Sequence, residues 1–207
     1  MSLGARYWRF SRRADQIAQA FRHASELPVD PACLRAHLLA RENATIQLQD
    51  QWSSFCRDVV LMSWRGNVST LAGRTLLARR GSSSESAALS ALRSTFTGRL
   101  KKPRNWEPKW FDPAETIDAA RRLGVPNFAE IAAGVGITPS PLDELRAVRN
   151  YFAHRGSLSS SRLAPFLKVP VNSAMAHRHL TSLTLGGATT FERWATELDA
   201  MARVAVA

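Results

Sequence analysis

The sequence predicts an all-α fold, a helical bundle with one long central helix and a loop-rich excursion at about residues 66–111. Three observations carry this. No run of alternating β-branched residues competes with helix anywhere in the chain. From Pro31 to Trp64 there is neither a glycine nor an internal proline, while Leu34, Leu38, Ile46, Trp52, Phe55, Cys56, Val59 and Met62 recur at near-helical spacing. Helix-start signals, in which Ser, Thr or Asp stands just before a proline or three residues before a glutamate, then recur in the second half.

The elements follow in order. Tyr7 to Leu27 carries Trp8, Ile17, Phe21 and Ala24 on one face with arginines on the others, which predicts the first helix. The Pro31–Trp64 stripe is the long helix or two collinear ones. Between Gly66 and Trp110, Gly73, Gly81, Gly98, Pro103 and Pro108 leave room only for short segments, one of them a helix starting near Ser82 with Glu85 completing a capping box. Asp112-Pro113 opens a helix that Gly124 can close, and Phe128–Ala133 is a short helical stretch. Ser140-Pro141 caps a helix expected to reach Arg155 and stop at Gly156. Ser157, Ser159, Ser160 and Ser161 read as a serine-rich turn, the segment on to Pro170 has no clear preference, and Thr189-x-x-Glu192 starts a final helix through Phe191, Trp194, Leu198 and Met201.

A chain of 207 residues predicts one domain. Its 28 Lys and Arg against 17 Asp and Glu leave a formal charge of +11, which points to a polyanion such as nucleic acid, or to an acidic protein, as partner. No apolar run approaches the roughly 20 residues that span a bilayer, and Arg6, Arg9, Arg12 and Arg13 interrupt any leader-like stretch, so no membrane association and a cytoplasmic location are expected. Cys33 and Cys56 form no CxxC pair and read as reduced core thiols rather than as a disulfide or a zinc site.

The chemistry concentrates in Leu142-Asp-Glu-Leu-Arg-Ala-Val-Arg-Asn-Tyr-Phe-Ala-His-Arg-Gly156. Arg149, Asn150 and His154 match the R-N-x-x-x-H signature, and on these residues the helix resembles that of the HEPN superfamily. The resemblance covers about 15 residues closely and the rest of the chain in layout only. It implies metal-independent cleavage of RNA, with no cofactor, at a composite site formed by two protomers. It also implies a toxin or phage-defence role restrained by an antitoxin or another regulatory protein. One departure is plain: Gly156 stands where the H-x-Tyr subset carries a tyrosine open to nucleotide modification.

The residue types support such chemistry independently. RNA supplies its own nucleophile, the ribose 2′-OH, and needs only proton transfer and charge stabilisation at phosphorus. A histidine moves protons near neutral pH. Arg149 can grip two phosphate oxygens, and Asn150 can orient the histidine or the phosphate. His154 lies in the last turn, facing the negative end of the helix dipole, which suits a general acid to the leaving 5′-oxygen at least as well as a base. At about 100° per residue, however, Arg149 and His154 stand roughly 140° apart around the helix. Either the helix unwinds near Gly156, or a two-fold copy supplies the missing group.

Other signals compete. Ala132-x-x-x-Gly136-Ile137-Thr138 resembles the turn of a helix-turn-helix, making 128–146 a DNA-reading segment, although Asp143 and Glu144 would then face phosphates. Arg99, Lys101, Lys102 and Arg104 precede Trp106 and Trp110, so that indoles could stack bases while cations track phosphates; the alternative is that both indoles anchor a loop to the core. Lys101, Lys102, Arg104, Trp106, Arg146 and Arg155 are thus the candidate RNA contacts. His177 and His179 point about 200° apart on a helix and lack a third partner, so no metal site is expected. Glu42, an acid on the long helix, could meet the active site from elsewhere in the bundle.

Overall fold

The computed structural model describes residues 2–26, 33–77, 84–96, 102–103, 105–138 and 140–207. Leu27, Pro31, Ser82, Arg99, Lys101 and Arg104 lie outside the described residues. The fold is all-α: α1 (Leu3–Glu26), α2 (Leu34–Arg65), α3 (Glu85–Ser94), α4 (Pro113–Leu123), α5 (Phe128–Val135), α6 (Pro141–His154), α7 (Ser157–Leu167), α8 (Ser173–Thr181) and α9 (Thr190–Ala205). One small antiparallel ribbon, β1 (Val68–Ser69) and β2 (Thr75–Leu76), sits in the excursion, with Val68 opposite Leu76. Two strands of two residues are stabilised by the turn and by burial of Val68 and Leu76, not by any alternating pattern long enough to read in sequence.

The chain groups into two compact units. The first comprises residues 1–11, 52–139 and 200–207, the second 12–51 and 140–199. In the first, Phe10 packs against Trp52 and Phe55 at 5.9 and 5.0 Å between ring centres, and Val59, Leu92 and Ile131 are also buried. α5 approaches α9 so closely at Gly134 that an added Cβ would lie 2.5 Å from the Met201 carbonyl oxygen and the Ala205 nitrogen. Asp112 caps α4 by accepting from the backbone N–H groups of Ala114 and Glu115 at 3.0 and 3.4 Å, and Gly124 ends it in the left-handed region, both as the sequence predicts.

In the second unit, Phe21 of α1 stacks on Phe191 of α9, 4.1 Å apart and nearly parallel. Leu48, Leu145, Val148, Leu163, Leu180, Trp194 and Leu198 complete its core. Thr189 and Glu192 form the expected capping box: Thr189 N–H donates to the Glu192 carboxylate at 2.9 Å, and Glu192 N–H donates back to Thr189 Oγ1 at 3.2 Å.

Several expectations are corrected. Trp8 is 62% exposed, because the buried face of α1 runs through Tyr7, Phe10, Ala14, Ile17 and Phe21, one residue out of phase with it. Leu34, at the first turn of α2, is exposed. Cys33 is exposed, and only Cys56 is a core thiol, its pKa pushed up by burial. α3 begins at Glu85 with Ser84 as its cap, accepting from Ala87 N–H at 3.1 Å. The Ser-rich segment is not a turn but helix α7, whose start is fixed by Ser159 Oγ accepting from Gly156 N–H at 3.0 Å.

Candidate active site at the end of helix α6

α6 is assembled as its sequence dictates. Ser140 Oγ accepts from Leu142 N–H at 3.2 Å, Pro141 occupies the first turn without wasting an N–H, and Asp143 and Glu144 place negative charge at the positive end of the dipole. Leu142, Leu145, Val148, Tyr151 and Phe152 bury one face. The helix stays regular through His154. Its stop differs from expectation. Arg155, not Gly156, turns into the left-handed region at φ 45°, its N–H still donating to the Tyr151 carbonyl at 2.8 Å, while Gly156 takes an extended conformation at the start of α7.

Regularity through His154 removes one of the two ways of joining the motif: no unwinding swings His154 round to Arg149. His154 is exposed and Arg149 half-buried. Arg149 Nη1 donates to Asn150 Oδ1 at 3.3 Å, and its Nε is shut off from solvent with no partner among the described residues. Asn150 therefore holds the arginine, and is not bonded to the histidine.

Around Arg155 the structure assembles residues far apart in sequence. The Glu42 carboxylate, buried on α2, accepts from Arg155 Nη2 with both oxygens, at 2.6 and 2.8 Å, and from His177 Nε2 at 3.0 Å. Phe152 lies on the His177 ring, 4.9 Å between centres. Nδ1 of His177 is buried without a partner among the described residues, so the neutral tautomer with its proton on Nε2 fits the site. Burial lowers the His177 pKa from its ordinary value, outweighing the Glu42 carboxylate that acts in the opposite sense.

A second carboxylate organises the start of the helix. Glu144 accepts from His179 Nε2 at 2.9 Å, from Trp194 Nε1 at 2.7 Å, and from Arg193. Burial opposes its ionisation, but the bonds from His179 and Trp194 and the Arg193 charge prevail, holding its pKa at about 2.

His177 and His179, which sequence spacing sets aside as metal ligands, are thus each bound to a glutamate, and no group of three or more metal-ligating side chains occurs among the described residues. Glu42 does reach the end of α6, through Arg155 rather than through His154. Nothing in the sequence signals the 42–177 pairing, because an isolated histidine on a short helix looks like any surface histidine. Arg146 is half-buried and engaged.

Lys102 and Trp106 belong to the other unit. There the Lys102 ammonium lies over the Trp106 and Phe96 rings, 5.0 and 5.2 Å from their centres, beside a cavity of about 420 Å³. Trp110 is buried and donates to Glu107 at 3.0 Å, so it anchors the core, whereas Trp106 is half-buried. No family model matches the chain, and neither a curated protein nor a solved structure matches it. No helix among the described residues is long and apolar enough to cross a membrane.

Proposed function

We propose that the protein is a metal-independent endoribonuclease acting as a homodimer, with Arg149, Asn150 and His154 at its centre. The observation that carries this reading is the continuity of α6: His154 stands exposed in its last turn while the Arg149–Asn150 pair projects elsewhere, so a second copy of α6 completes the pairing. In the reaction the ribose 2′-oxygen attacks phosphorus as the bond to the 5′-oxygen breaks. The 2′-OH gives up a proton, and the departing 5′-oxygen takes one up. His154 of the second copy shuttles this proton, taking it from the 2′-OH and delivering it to the 5′-oxygen. Arg149, oriented by Asn150, stabilises the charge that builds on the equatorial oxygens. The products are a 2′,3′-cyclic phosphate and a 5′-hydroxyl. With the net charge of +11 favouring a nucleic acid, and the motif resembling HEPN toxins and defence effectors, the activity calls for restraint by an antitoxin or regulatory partner.

DNA reading through residues 128–146 is less well supported. α5 belongs to the first unit and α6 to the second, the Ser140 hydroxyl is engaged in capping, and exposed Asp143 would face phosphates.

The test is incubation of the purified chain with mixed cellular RNA in EDTA. Wild type should cleave, leaving cyclic phosphate ends. Arg149→Ala and His154→Ala, shown folded by circular dichroism, should lose at least about a hundredfold in rate. Equal cleavage by all three chains, or none by wild type, removes Arg149 and His154 from the centre of the chemistry and moves the protein to a binding or regulatory role, such as that of a catalytically silent RNA-binding member of the superfamily.

A further inference from the structure

Arg155 adopts a left-handed backbone conformation that a side-chain-bearing residue rarely takes, although a glycine stands next to it. What holds it there is tertiary. Glu42, only 8% exposed, grips Nη2 with both carboxylate oxygens and is itself fixed by His177 beneath Phe152. The other side of the guanidinium is open: the Arg155 side chain is 53% exposed, and its Nε and Nη1 bond to no described residue. A planar fork anchored by one nitrogen and free on two others can take a phosphate oxygen without letting go of its anchor. It stands one residue from His154.

We infer that Glu42 is a positioning residue which, held by His177, aims Arg155 at a backbone phosphate of the RNA next to the one that is cleaved. The inference rests on the ribonuclease reading for the identity of the ligand, and adds how the strand is held. A buried acid beside a phosphate-binding cation ought by charge alone to weaken RNA binding. Here it strengthens it, because a long side chain fixed in advance need not be ordered on binding.

The sign of that effect is the test. The chain carrying His154→Ala, expected not to cleave, is titrated with a fluorescent mixed-sequence single-stranded RNA oligonucleotide across a series of salt concentrations. Arg155→Ala should weaken binding several-fold and flatten the plot of log affinity against log salt by about 0.7, one phosphate contact. Arg155→Lys keeps an ion pair with Glu42 but has no second face, so it should flatten the plot similarly. Glu42→Gln raises the net charge yet should weaken binding by about threefold or more, and should add nothing to Arg155→Ala in the double variant. Tighter binding by Glu42→Gln, or equal weakening in the presence and absence of Arg155, overturns the inference. If Glu42→Gln does not fold, an unchanged salt slope in Arg155→Lys overturns it alone. Failure of the ribonuclease reading shows separately, as wild type that binds the oligonucleotide but leaves it intact. No binding at all removes both.

Discussion

Glu144 and His177 show how single side chains tie the stability of the second unit to pH. Glu144 ionises at about 2 in the folded chain against an ordinary 4.5, so it contributes stability above pH 4.5 that is lost as pH falls from there towards 2. Allowing for solvent screening, the loss is about 2 kcal/mol. His177 has its folded pKa lowered from 6.5; burying it neutral contributes stability that is complete above pH 6.5 and declines as pH falls below that value. Urea midpoints measured from pH 7.5 down to pH 3 should therefore fall in two stages. Glu144→Gln should remove the lower stage while also destabilising the chain at pH 7, because Arg193 loses one of its two charged acceptors and keeps only Glu197. A wild-type midpoint unchanged over this range contradicts both assignments.

Helix ends and helix crossings are where the elements are most sensitive. α4 depends on one carboxylate for two of its free N–H groups, so Asp112→Ala should cost about 1 kcal/mol in chemical denaturation. At the α5–α9 crossing the atoms nearest a new Cβ on Gly134 are backbone, which cannot rotate away. Gly134→Ala should lower stability by about 2 kcal/mol despite alanine's better helix propensity, a sign reversal that thermal melting would detect. A neutral or stabilising result means that the two helices stand further apart than a 2.5 Å approach to that Cβ allows.

For the whole molecule, the decisive prediction concerns subunit number. If Arg149 acts with His154 of a second copy, an equal mixture of inactive Arg149→Ala and inactive His154→Ala chains, allowed to exchange, should regain activity, about a quarter of that of wild type. Half of the dimers are then mixed, and each of those carries one intact site of two. A site contained in one chain regains nothing on mixing.

Much of this was legible in sequence, and the reason differs by feature. The all-α class, the caps at Asp112, Ser140 and Thr189, and the chemical motif on α6 rest on interactions within four residues, which local spacing encodes. The neighbouring Trp8 and Tyr7 show the limit: α1 is helical either way, but which of the two is buried depends on where its partners lie. The stop at Arg155 likewise depends on a contact outside the local sequence, the Arg155–Glu42 pair, whereas the start of α7 rests on the local Gly156–Ser159 bond, which a run of serines does not single out. Sequence by itself determined that this chain folds into helices, where most of them begin, and that Arg149, Asn150 and His154 share one of them. Only the tertiary structure decided that Glu42 and His177, 135 residues apart, meet beside that helix's last turn, because a buried carboxylate takes whichever donors the packed helices bring to it.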